Sequence, residues 1–224
     1  MTIIKAPLSS RAGLAAVLLV ALMSLTACGG SGSGSASGST SSTPTATSSA
    51  GTSSSAGAAN TASPVPVETR PPGDIPDGLA FVTYTNQPGH YSFTHPEGWA
   101  RTGSGVQVRF TDKLNGVAVT SLASSSGPSV ATARSQDVAR LKASVPAFQL
   151  EGISAVTLPG GKAVHIVFRR NSDPVSVTGK VYRDQVEEYL LFGKGHLVRM
   201  DLFGPVGADN VDAYRTMAHS LRVR

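Results

Sequence analysis

The sequence predicts an α+β fold built on antiparallel strands, and three observations carry that prediction. From residue 75 onward most apolar side chains recur every second residue, in runs joined by short connections rich in Gly, Pro, Asn and Asp. Connections that short require antiparallel pairing. Only two stretches change to the helical period, one after residue 130 and one at the C-terminal end. The segment is roughly 150 residues long, enough for one domain with a stable core, and it contains no cysteine, so packing alone has to hold it.

The elements follow in order. "FVTYT" (81–85) and "HYSFTH" (90–95) read as a hairpin around the turn residues Asn86, Gln87, Pro88 and Gly89. "VQVRF" (106–110) and "GVAVTSLA" (116–123) read as a second, across the loop 111–115. Between Val130 and Val145 the apolar Val138, Leu141 and Val145 share a helical face, Arg134, Arg140 and Lys142 point elsewhere, and Pro146 ends the helix. Four longer strands are expected at 148–158, 162–170, 179–192 and 196–203. The closing helix places Val211, Tyr214, Ala218 and Leu221 on one stripe, with Asp209 as N-cap and Asp212 in the first turn.

Ahead of this domain lie two segments with no core. Residues 1–27 carry Lys5 and Arg11 before an uncharged run from Ala12 to Ala27. That run is shorter than the ~20 apolar residues of a membrane-spanning helix and has the pattern of a secretory signal peptide. It ends at Cys28, the single cysteine of the chain. Leu25-Thr26-Ala27-Cys28 resembles the lipobox of bacterial lipoproteins, which implies a diacylglyceryl group on Cys28. Two acyl chains at ~0.8 kcal/mol per buried CH₂ anchor stably where one does not. The alternative is a free or buried thiol, but residues 29–63 contain nothing to bury it: all except Pro44 and Asn60 are Gly, Ser, Thr or Ala. Such a stretch cannot offset its conformational entropy by burial. The expected organisation is therefore a signal peptide (1–27), a lipidated cysteine with a disordered tether (28–74) and a globular domain (75–224). A flexible chain of the tether's length spans roughly 30 to 35 Å, and its Ser/Thr content is compatible with O-glycosylation.

Charge and motifs narrow the function. Loss of Lys5 and Arg11 with the signal lowers the formal net charge from +5 to +3. Arg169-Arg170, Arg215, Arg222 and Arg224 lack the aromatic interleaving of a nucleic-acid surface, so no nucleic-acid partner is expected. The chain has no G-x-S-x-G, S-x-x-K, H-E-x-x-H, C-x-x-C, Walker A or G-x-G-x-x-G followed by a helix. No catalytic residue, cofactor or metal is expected, and enzymatic activity is not. His90, His95 and Glu97 flank the Pro96 turn and are the nearest approach to a polar constellation, without metal-type spacing. Glu187 and Glu188 are adjacent on a strand and so face opposite ways; one is expected to pair with Arg183 or Arg199.

The order of elements, "YSFTHPEGW" (91–99) and "GPVGADNVDAYRTMAHSLRV" (204–223) resemble the Mog1p/PsbP-like superfamily, and among its members the LpqN-like envelope lipoproteins of actinobacteria. The resemblance spans about residues 78–224 and implies an α/β/α sandwich, an antiparallel sheet flanked by helices on both sides. It implies little about activity, because fold alone does not carry function. Two expectations stand. The first is a lipid-anchored module on the extracytoplasmic face of the cell membrane that binds an envelope protein or glycan. The second is a carrier holding a small apolar ligand, such as a lipid, between sheet and helix, with Val164, Ile166, Phe168, Leu190 and Phe192 lining either a plain core or a cavity.

Overall fold

The computed structural model describes residues 61–224; the signal segment, Cys28 and the tether up to residue 60 lie outside the described residues. Two antiparallel sheets form the domain. Strands β3 (Ala100–Thr102), β4 (Gln107–Asp112), β5 (Asn115–Ala123), β9 (His196–Pro205), β8 (Arg183–Gly193), β7 (Gly161–Asn171) and β6 (Gln149–Leu158) lie side by side in that order. A smaller sheet holds β1 (Phe81–Asn86), β2 (Tyr91–Pro96) and β10 (Arg222–Val223). On one face of the large sheet sit helices α1 (Val130–Thr132) and α2 (Val138–Ser144), joined by a π-helical segment, Ala133–Asp137. On the other sit the small sheet and helix α3 (Val211–Ser220). The antiparallel α+β architecture is as the sequence predicts.

Strand alternation divides the interior into two cores. Val117, Val119, Val198, Met200 and Leu202 point toward the small sheet and α3, meeting Tyr91, Phe93, Met217 and Leu221. Val164, Ile166, Phe168, Val186 and Leu190 point the other way and meet Ala133 and Leu141 of the helix. Ile166, Phe168 and Leu190 are thus packed against helix side chains, the plain-core alternative, while Val164 also borders a groove of about 440 Å³ with Val130 and Ala155. Phe192 is half-buried beside Gly127.

Several elements differ from expectation, each for a local reason. Strand β2 shows no alternation because both faces are covered, Tyr91 and Phe93 by the core and Ser92 by Arg224. The loop expected at 111–115 shrinks to Lys113 and Leu114, with Lys113 at φ 50 and Asp112 paired to Asn115. Strand β8 starts at Arg183, four residues later than expected. The N-cap of α3 is Asn210, not Asp209, and its side chain accepts from Ile75 N–H (2.8 Å) and donates to Asn115 (2.9 Å). Val211 lies off the buried stripe at 59% exposure, and Met217 takes its place.

Residues 63–75 run against the domain. Asn171 binds them at both polar ends of its amide, donating to Ser63 O (2.8 Å) and accepting from Val65 N–H (3.1 Å). Glu68 pairs with Lys180 at 2.7 Å, Asn115 donates to Gly73 O, and Ile75 is buried in the core. The boundary expected at residue 75 therefore meets a strap that is already bonded to the fold.

Candidate binding groove

The helix segment is shorter than the sheet is wide. It covers β6, β7 and β8 and reaches β9 where Asp137 meets Arg199, and on the same face the sheet is open beyond that point, over β5, β4 and β3. There the outward positions of the strands meet: Arg199 and Asp201 from β9, Ala118 and Thr120 from β5, Gln107 and Arg109 from β4. They line a groove of about 390 Å³. Its floor is firm, because the alternate residues of the same strands, Val198, Met200, Val117, Val119 and Val108, are buried in the core beneath.

At the helix side of the groove Glu188 on β8 lies directly opposite Asp201 on β9. The Glu188 side chain is fully buried. Arg140 clamps it with one nitrogen at 3.0 and 3.1 Å from the two carboxylate oxygens. Arg199 Nε reaches the same carboxylate at 3.2 Å and its Nη2 reaches Asp137 at 2.8 Å. Asp137 ends the π-helical segment, a local widening of the kind often found at functional positions.

Two carboxyls this close and this dry do not both ionise readily. Burial, then the charge of Asp201, push Glu188 up to about 7, against the pull of Arg199 and Arg140. Burial pushes Asp201 up as well, with Arg199, Arg170 and Arg140 opposing. The pair shares a proton near neutral pH. The Asp201 carboxyl is hydrogen-bonded to Glu188, and its Oδ1 is buried and takes no other donor among the described residues.

Beyond Asp201 the floor continues to Phe203, whose ring carries two guanidinium groups, Arg109 at 4.4 Å and Arg170 at 4.9 Å from its centroid. The ring lies across Gly116 of β5, where a Cβ would fall 2.1 Å from it. Arg170 Nε is 3.6 Å from Asp184, and Arg109 is 3.9 Å from Asp173. Burial lifts Asp184 to about 6, with Arg170 opposing.

The residues singled out in the sequence fall elsewhere. His90 stacks on His196 at 4.3 Å at one end of β2. His95, at the other end, is buried against Phe110 at 3.7 Å, and its Nδ1 lies 2.8 Å from Pro96 O. Glu97 is exposed. The trio does not converge. Glu187 and Glu188 face opposite ways as expected: Glu187 accepts from Tyr189 Oη (2.9 Å) beside His165 (3.2 Å), while Glu188 takes Arg199. Arg183 turns instead to Ala147 O, Asn171 and Gln149. Arg140, expected to point away from the core, reaches Glu188, and Arg170 is packed on Phe203. Cys28 lies outside the described residues. Among the described residues no three His, Cys, Asp or Glu side chains are placed to share a metal ion, and no helix is long and apolar enough to cross a membrane.

The chain is similar to PsbP-like and Mog1p-like structures. PsbP of the cyanobacterium Synechocystis sp. PCC 6803 is 17% identical, over 68% of this chain and 98% of that one, with a TM-score of 0.44. The Ran-binding protein Mog1p of Saccharomyces cerevisiae is 10% identical, over 65% and 96%, with a TM-score of 0.43. LpqN of Mycobacterium tuberculosis, involved in cell envelope biogenesis, is 14% identical, over 65% and 91%, with a TM-score of 0.39. At these values no residue role passes from them to this chain. No family model and no curated protein matches the sequence.

Proposed function

We propose that this chain is a lipoprotein anchored through Cys28 at the extracytoplasmic face of the cell membrane, and that its domain is a binding module whose open groove takes an envelope partner, protein or glycan. The lipobox and the Gly/Ser/Thr/Ala tether support the anchor. One observation supports the groove: Arg109, Arg199 and Asp201 stand together on the outward face of three strands whose alternate residues form a firm core beneath. Binding, rather than turnover, is the output, and the tether raises the local concentration of the groove at the membrane.

The test has two independent arms. Cys28→Ala abolishes labelling by a fatty-acid analogue and leaves a larger unprocessed form; unchanged labelling refutes the anchor. Photocrosslinking from Gln107, at the groove rim, captures a defined envelope component in cells, and Asp201→Ala abolishes that capture while the chain stays folded. Capture that survives Asp201→Ala refutes the groove. A stoichiometric lipid released by organic extraction of the purified protein replaces this reading with the carrier.

A further inference from the structure

A different part of the molecule, the outer edge of β6, carries an inference independent of the groove. Strand β6 is a ten-residue edge strand, and among the described residues its outer side pairs with no strand. Natural sheets protect long edges with charge, proline or marked shortening. The run Gly152–Leu158 has none of these, being GISAVTL without a single charge. The one bulge, between Leu150 and Gly152, falls before it. Gly152, moreover, is a strand glycine with nothing within 4 Å of where its Cβ would be. Its backbone freedom serves the bulge at Leu150/Gly152, and beside that bulge the strand leaves open space.

We infer that β6 pairs antiparallel with β6 of a second copy, about a two-fold axis through Ser154, to form a symmetric dimer with one continuous sheet. An axis perpendicular to the sheet keeps each residue on its own face, so Ile153 meets Ala155 and Gly152 meets Val156 of the other copy. Each half-buried branched side chain then lies opposite a small one. Ala155 lines a groove of about 440 Å³ with Val130, Val164 and Pro128, and this is the space that Ile153 of the second copy enters. Val156 of the second copy enters the open space at Gly152. Glu151, the bulged residue at the end of the seam, is already paired with Arg169 at 3.3 Å. Ser154, on the axis, is exposed and faces its own counterpart.

The symmetry makes the test direct. Ser154→Cys in the full chain, under mild oxidation, gives a covalent dimer, since Cα atoms in facing antiparallel positions are ~4.5 to 5.5 Å apart, within disulfide reach. The parent chain, whose one cysteine is Cys28, and Leu122→Cys, exposed on β5, give none under the same conditions. Ser154→Lys sets two like charges face to face and halves the mass measured by sedimentation in detergent, while its circular dichroism spectrum stays that of the folded parent. A parent that sediments as a monomer overturns the dimer. So does a dimer that Ser154→Lys leaves intact, or a Ser154→Cys crosslink no greater than that of Leu122→Cys.

Discussion

Glu188 and Asp201 are direct cross-strand partners with Arg199 two residues before Asp201 and close enough to hold Glu188 at 3.2 Å. Two acids and an arginine on neighbouring inner strands make stability depend on pH in an unusual direction. A carboxyl whose folded pKa is raised holds its proton more tightly folded than unfolded. The folded state then binds more protons between the two values, and stability falls as pH rises through that interval. For Glu188 the interval runs from 4.5 to about 7, and Asp184, at about 6, acts in the same sense. Glu187 acts oppositely: burial raises it, but hydrogen bonds with His165 and Tyr189 outweigh this and hold it low, so its contribution is lost as pH falls through its folded pKa. The thermal midpoint should therefore decline from mildly acid to neutral pH. Asp201→Asn should flatten that decline, by on the order of 1 to 3 kcal/mol. A slope unchanged in Asp201→Asn would show that the pair is not coupled.

Gly116→Ala tests the floor of the groove. A methyl there displaces the Phe203 ring and with it the seats of Arg109 and Arg170, and overpacking of this kind costs ~1 to 3 kcal/mol. Gly78→Ala, where a Cβ meets nothing within 4 Å, should change stability by less than ~0.5 kcal/mol. Denaturant midpoints of the two variants give the comparison.

For the closing helix, Leu221 is fully buried and Val211 is 59% exposed. Leu221→Ala should cost ~2 to 5 kcal/mol through lost transfer energy and the cavity it leaves. Val211→Ala should cost less than ~0.5 kcal/mol, and equal losses in chemical denaturation would place the helix wrongly.

The strap is tested at Asn171. Asn171→Ala removes both bonds to Ser63 and Val65 and one acceptor of Arg183. Limited proteolysis should then cut between Thr61 and Arg70 faster than in the parent, with loss of stability on the order of 1 to 3 kcal/mol for the unpaired Arg183 donor. Cleavage at the parent rate would mean that Glu68, Gly73 and Ile75 hold the strap without Asn171.

Much of the framework was legible because it is written in periods. The alternation of Val198, Met200 and Leu202 against Arg199, Asp201 and Phe203 assigns faces to β9 without any coordinates. The two-residue turn at Lys113 and the three-residue β3 were not, since neither carries enough apolar residues to set a period. The groove was hidden for another reason. Glu188 and Asp201 stand thirteen positions apart, and only the register of β8 on β9 makes them neighbours; Arg140 and Asp137 join them only because the helix crosses that register. Read singly, each is an ordinary charged residue on an outward face. One signal was present: three charged side chains, Glu188, Arg199 and Asp201, on the same face of two long central strands, where burial makes an unpaired charge expensive.

The strap has a mechanical meaning. Tension on the chain ahead of Ser63 is borne first by the two bonds at Asn171, next by Glu68 on Lys180, then by Gly73 on Asn115, and only after these by Ile75 and its bond to Asn210. These fasteners are spaced along the chain and loaded one after another, so they peel singly at low force rather than shear together. Each that lets go lengthens the chain by a few residues, at ~3.3 to 3.6 Å per residue, and relieves the pull. The strap behaves as a fuse with slack in it, sparing the β1–β2 ladder, which begins at Phe81.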